Sequence, residues 1–172
     1  MIPARPGDLV VDRWGARCRG RRLTCAVGRG GIRPAEEKRE GDGATPAGRW
    51  RLLFAFWRAD RGAAPVTALP LMPLGPQQGW AEDPADPAYN RAIRHPHPLP
   101  ADRMARGDGL YDVCVVTDHN RAPVVPGAGS AIFVHHWRKP RHPTAGCVAF
   151  APADLAWILA GWRPEDRLVI RG

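Results

Sequence analysis

Apolar and polar residues alternate along this chain in short bursts, the pattern of half-buried strands rather than of helices. Leu9–Asp12 reads as a strand, paired across a turn region at residues 15–20 with a second strand at 22–27. A longer strand is predicted at 49–58, where Trp50, Leu52, Phe54 and Phe56 alternate with Arg51, Leu53, Ala55 and Trp57. Residues 28–46, rich in glycine and charge, predict a loop between them. An apolar, β-branched run returns at 110–117 and is closed by the turn-forming Asp118, His119, Asn120 and Arg121. Further strands are expected at 130–137, 147–150 and 167–170, making six or seven in all. One helix is expected over residues 152–160, since Pro152 suits a first turn and Gly161 a stop. Ala151 is a poor cap, so packing must hold that helix start. Residues 59–109 hold nine of the nineteen prolines and predict a long irregular excursion, of the kind that lines a site.

Composition agrees. A chain of 172 residues is one domain, spanning 1–172, and can bury a single core. Its 44% hydrophobic and 24% charged residues exclude a disordered or fibrous protein. Nineteen glycines and nineteen prolines are too many for a helical bundle, because proline lacks the N–H and glycine is entropically costly in a helix. No apolar run exceeds six residues, so no membrane insertion is expected. The fold expected is mainly β, a sandwich or barrel with a short helix after Cys147 and a long Pro-rich loop excursion.

The net charge of +8 is unevenly placed. Residues 1–61 carry 14 basic against 7 acidic side chains, and residues 13–33 hold seven arginines and no acid. Such a face attracts anions. Only Trp14 lies among these arginines, which makes no base-stacking platform, so no nucleic-acid partner is expected. The readings left are a solvated face or an attraction for a small carboxylate-bearing substrate. Four cysteines are few for a disulfide scaffold, and none forms a CxxC pair. Cys114, within an apolar run, is expected to be buried; Cys18 and Cys25 are left open. Pro3, Arg5, Pro6, Gly7 and Asp8 interrupt the pattern of a secretory signal, so the expected location is the cytoplasm.

The chemistry concentrates in residues 127–150. His135 ends an apolar strand, and Cys147 follows after a gap that suits a loop returning to the same sheet. A histidine beside a cysteine lowers the thiol's pKa and carries its proton. In Thr144-Ala145-Gly146-Cys147 small residues allow close approach, and successive backbone N–H groups can converge on an oxyanion. Two other readings stay open on this pattern. Cys147 could be an inert core thiol, or His135, His136, His142 and Cys147 could ligate zinc. Adjacent histidines on a strand point to opposite faces, which argues against one shared metal. No metal or cofactor is expected.

Several segments together resemble the L,D-transpeptidase catalytic domain (YkuD) family. They are GSAIFVH at 129–135 and PTAGCVAFAPADL at 143–155, with KREGDGATPAG at 38–48, WAEDPADPAYNR at 80–91, DGLYD at 108–112 and VVPG at 124–127. The resemblance covers most of the chain in the right order. It implies a mostly β fold and a cysteine acyl-enzyme that attacks the meso-diaminopimelate–D-alanine bond of a peptidoglycan tetrapeptide or muropeptide. Cys147 would be the nucleophile, open also to acylation by a carbapenem, and His135 the base. Backbone N–H groups of Ala145, Gly146 and Cys147 would form the oxyanion site.

The chain departs from the commoner family motif, Ser/Thr-His-Gly-Cys followed two residues later by Arg or Asn. Ala145 and Ala149 stand at the two polar positions. The second loss removes a substrate or oxyanion helper, and Tyr89, Asn90 and Arg91 are the expected replacements, with His136 and Thr144 as further substrate contacts. The group orienting His135 is open between a backbone carbonyl, as the family often uses, and Asp112, Asp118 or His119. A cytoplasmic location favours water as acceptor, hence an L,D-carboxypeptidase trimming tetrapeptide to tripeptide in peptidoglycan recycling. The alternatives are a cross-linking L,D-transpeptidase and a basic, non-enzymatic binding module with a structural Cys147.

Overall fold

The computed structural model describes residues 2–172. The chain begins with β1 (Leu9–Asp12), β2 (Gly15–Cys18), β3 (Arg21–Leu23), β4 (Cys25–Ala26), β5 (Ile32–Pro34) and a 3-10 turn at Ala35–Glu37. Its middle holds β6 (Thr45–Trp50), β7 (Leu52–Trp57), β8 (Leu71–Pro73), β9 (Gln78–Ala81), β10 (Ala92–Arg94) and β11 (Ala101–Arg103). The last part comprises β12 (Val113–Thr117), β13 (Phe133–His136), β14 (Val148–Phe150), α1 (Pro152–Ala160) and β15 (Leu168–Ile170).

Two six-stranded sheets, ordered β3-β2-β1-β15-β6-β5 and β4-β14-β13-β12-β7-β8, stack in a sandwich-like arrangement, and β10-β9-β11 form a small third sheet. The main core joins the first two. Leu9 and Val11 of β1 and Leu168 and Ile170 of β15 pack with Ala55, Val115, Val134 and Val148 of the second sheet. Leu155, Ile158 and Leu159 of α1 seal it. The second sheet has another face, carrying Phe56, Cys114, Val116 and Phe133, and the excursion covers it with Leu74, Trp80 and Met104. Trp80 meets Phe133 edge-on at 4.9 Å. Side chains alternate across a strand, so Val113 and Val115 of β12 face the main core while Cys114 and Val116 face the second.

The structure departs from the pattern-based expectation at several points. Residues 22–27 divide between β3 in the first sheet and β4 in the second, β1 pairs with β2 instead, residues 28–46 hold β5, and the described residues form fifteen strands rather than six or seven. Residues 15–18 are a strand rather than a turn. Asp12 Oδ1 accepts the Trp14 and Gly15 N–H groups at 2.7 and 3.1 Å, closing a tight turn two residues earlier than expected. Residues 49–58 are not one strand, because the chain changes sheets at Arg51, whose N–H donates to Asp118 Oδ1 at 2.8 Å. The excursion contains β8 to β11 instead of being wholly irregular. Helix α1 has the expected bounds and no side-chain cap at Ala151. Its other end is capped from a distance, since Arg19 Nη2 donates to Trp157 O at 2.9 Å. All four cysteines are free and buried.

Candidate active site

His135 and Cys147 belong to neighbouring parallel strands. β13 pairs with β14 so that Val134 lies opposite Val148 and His135 opposite Ala149. Phe133 and Cys147 both belong to the second core, and His135, two residues beyond Phe133, shares their face. His136 takes the other face. The two reactive side chains thus line one cleft of about 210 Å³, together with Arg106, Tyr111, Trp137, Arg138, His142 and Thr144.

The imidazole is fixed by the main chain. Its Nδ1 lies 2.7 Å from the His136 carbonyl oxygen. A carbonyl only accepts, so Nδ1 carries the proton and Nε2 of the neutral ring keeps its lone pair. Tyr111 packs edge-on against the ring at 5.2 Å. Burial lowers the His135 pKa to about 4, partly opposed by the bond to His136 O, so the ring is neutral at pH 7. The other groups left open for orienting His135 are engaged elsewhere. Asp118 caps Arg51, Asp112 pairs with Arg61 at 3.2 Å, and His119 Nε2 contacts Ala128 O at 3.2 Å.

Cys147 rests as a thiol. Its Sγ donates to the Ala131 carbonyl at 3.1 Å and accepts from the Phe133 N–H at 3.4 Å, and no hydrogen bond joins it to His135. Burial pushes the thiol up to about 12; the Phe133 N–H works against this, while the charges of Glu82 and Asp102 add to it.

The turn before Cys147 is held from below. Thr144 N–H donates to Val27 O at 3.0 Å, and Arg29 N–H to Thr144 O at 2.9 Å. The buried Thr45 hydroxyl accepts from Gly28 N–H and donates to Gly146 O, both at 2.8 Å. Gly146 has φ +142°, and a Cβ there would lie 2.9 Å from Ala44 O, so the position demands glycine. Thr144 Oγ1 donates to Cys147 O at 2.6 Å and accepts the Gly146 N–H at 3.1 Å. Of the three expected oxyanion donors, Gly146 is therefore engaged within the turn. Among the described residues the N–H groups of Ala145 and Cys147 have no main-chain or side-chain acceptor.

The remaining predicted residues are placed less directly. Tyr89 is buried and its hydroxyl donates to Glu40. Asn90 is a hydrogen-bonded knot: Oδ1 accepts from Trp80 Nε1 and Ala131 N at 3.0 and 3.1 Å, and Nδ2 donates to Asn120 O at 2.7 Å. Those bonds hold the excursion over the second sheet and leave Asn90 no free valence for a ligand. Arg91 is exposed, and neither it, Tyr89, Asn90 nor His136 lines the Cys147 cleft. The cations that do are Arg106 and Arg138, which pattern reading passed over. Arg106 is gripped by Asp108 at 2.7 Å, whereas Arg138 is 59% exposed with Asp108 only at 3.7 Å. The signal for Arg138 was its place three residues after His135, in the linker to Cys147. Among the described residues no three His, Cys, Asp or Glu side chains are placed to share a metal ion.

A β sandwich carrying a buried thiol and a main-chain-oriented imidazole in one cleft has the parts of a cysteine acyl-transfer site. Comparison with family models sharpens the class. The model of the L,D-transpeptidase catalytic domain (YkuD) matches residues 9–170, and the chain belongs to this cysteine-based family, which acts on peptidoglycan peptides. Comparisons with curated proteins and with solved structures find no match. No helix among the described residues is long and apolar enough to cross a membrane.

Proposed function

We propose that the chain is an L,D-carboxypeptidase whose Cys147 attacks the meso-diaminopimelate–D-alanine bond of a tetrapeptide stem. The observation that carries this reading is the shared cleft of Cys147 and His135, with Nε2 of His135 free to take a proton. The thiol leaves the Ala131 carbonyl and passes its proton to Nε2. The thiolate adds to the carbonyl carbon, and the Ala145 and Cys147 N–H groups receive the oxyanion. Collapse breaks the C–N bond, and His135 returns the proton to the departing D-alanine amine. Water, deprotonated by His135, then attacks the thioester and restores the thiol. Arg138 grips a substrate carboxylate in place of the polar residue missing at Ala149.

We put hydrolysis first because water, as acceptor, needs no second peptide seated beside the acyl-enzyme. Transpeptidation, the activity for which the family is named, uses the same acyl-enzyme with a second stem's amine in place of water. The test is incubation of a tetrapeptide with and without an amine acceptor. Tripeptide and free D-alanine without a cross-linked dimer are expected, and dimer formation would replace the hydrolytic reading by transpeptidation. Failure of a carbapenem to add its mass at Cys147 in the intact chain, with neither product formed, would leave the binding-module reading in place of an enzyme.

A further inference from the structure

The basic N-terminal stretch takes a definite shape in the fold. β2 and β3 form a hairpin in which Arg17 lies directly opposite Arg22. Like charges in that position repel. Both are exposed, and neither has an acidic partner among the described residues. With Trp14, Arg141 and Asp12 they line a groove of about 450 Å³, in which Asp12 Oδ1 is taken up by the Trp14 and Gly15 N–H groups. Trp14 is 70% exposed, an unusual position for an indole. Its backbone is nonetheless held, by Asp12 on one side and by Arg141 Nη2 donating to Trp14 O at 3.2 Å on the other. Arg13 stacks on its ring at 4.4 Å. Arg141 also ties the groove to the reactive site, because Arg138, His142 and Pro143 of the same loop line the Cys147 cleft.

We propose that this groove docks the glycan strand of the peptidoglycan polymer, a reading that rests on the substrate class given above and requires the chain to meet the polymer, outside the cytoplasm expected from the sequence pattern. An exposed indole, anchored through its backbone, offers the face turned away from Arg13 to sugar rings, and the unpaired arginines match the carboxylates of neighbouring stems along the strand. Relief of the Arg17–Arg22 repulsion by those anions favours the bound state. A single indole gives no stacking ladder for nucleic acid, and a concave groove suits a strand better than a flat lipid surface.

Co-sedimentation of the full chain with purified sacculi tests this, with DNA and anionic vesicles in parallel. The wild type is expected to pellet with sacculi, and Arg17→Glu to weaken retention roughly tenfold, or about 1.4 kcal/mol. The same substitution places an acid opposite Arg22 and should raise Tm by about 2 °C, which separates lost docking from lost folding. Trp14→Ala should weaken retention even at high salt, where the arginines are screened. Unchanged retention of Arg17→Glu, or DNA or vesicles retained as tightly as sacculi, would overturn the proposal. D-Alanine release from a soluble tetrapeptide is read alongside. A chain that releases none but keeps Arg17-dependent retention on sacculi upholds docking and rejects the hydrolytic reading; release without such retention rejects docking alone.

Discussion

Burial keeps both members of the Cys147–His135 pair uncharged at neutral pH, and this makes the pH dependence of the site distinctive. With its pKa lowered to about 4, His135 keeps the lone pair that the proposed base needs well into acid. The acid limb of kcat/KM for tetrapeptide cleavage should therefore fall near pH 4, and a half-loss near the ordinary histidine value of about 6.5 would show that another group is the base. A neighbouring carboxyl modulates the thiol. Glu82, itself pushed up to about 7 mainly by burial, raises the Cys147 pKa when charged. Glu82→Gln should speed alkylation of Cys147 by iodoacetamide at pH 8, by roughly threefold; an unchanged rate would mean that the charge does not reach the sulfur. At this scale the sequence named two residues that share one cleft, but not their orientation. Residue types and spacing mark a thiol and an imidazole, while only the β13–β14 register shows that His135 faces Cys147 and His136 does not.

At the scale of elements, the turn before Cys147 depends on a segment far away in sequence. Residues 28–46 read as a loop, and much of that stretch is irregular. Its function as the floor of the turn was not legible, because close backbone packing between Gly28, Gly43 and Thr144 leaves no hydrophobic pattern. Thr45→Val keeps the shape but removes a hydroxyl serving two buried main-chain groups. A destabilisation of about 2 kcal/mol in urea unfolding is expected, with slower carbapenem acylation of Cys147 as the turn loosens. Normal stability and acylation would show that the Gly28–Gly146 link is dispensable. Strand reading erred for similar reasons. The apolar alternation through residues 49–58 runs on across Arg51, and the change of sheet there is set by main-chain bonds with Asp118 rather than by side-chain pattern.

For the whole molecule, the same buried groups set the pH range of stability. His135 has a lower pKa folded than unfolded, so its contribution is present above about pH 6.5 and is lost as pH falls toward about 4. Cys25 and Cys147, both raised to about 12, contribute below about pH 9 and lose that contribution as pH rises toward 12. Urea unfolding should show greatest stability between these limits. The acid loss attributable to His135 is roughly 3 kcal/mol, and it should shrink in His135→Gln; an unaltered acid slope would place the responsible protonation elsewhere. Composition and periodicity by themselves determined a mainly β fold and a helix at Pro152–Ala160, and they singled out Cys147 and His135 as candidates, because these depend on local propensity and residue type. The tertiary structure decided which cations line the cleft, which N–H groups are free for an oxyanion, what orients His135, and that Arg17 and Arg22 share a groove with Trp14. Those follow from strand register and long-range packing, in which residues distant along the chain meet and local pattern carries no record of the partner.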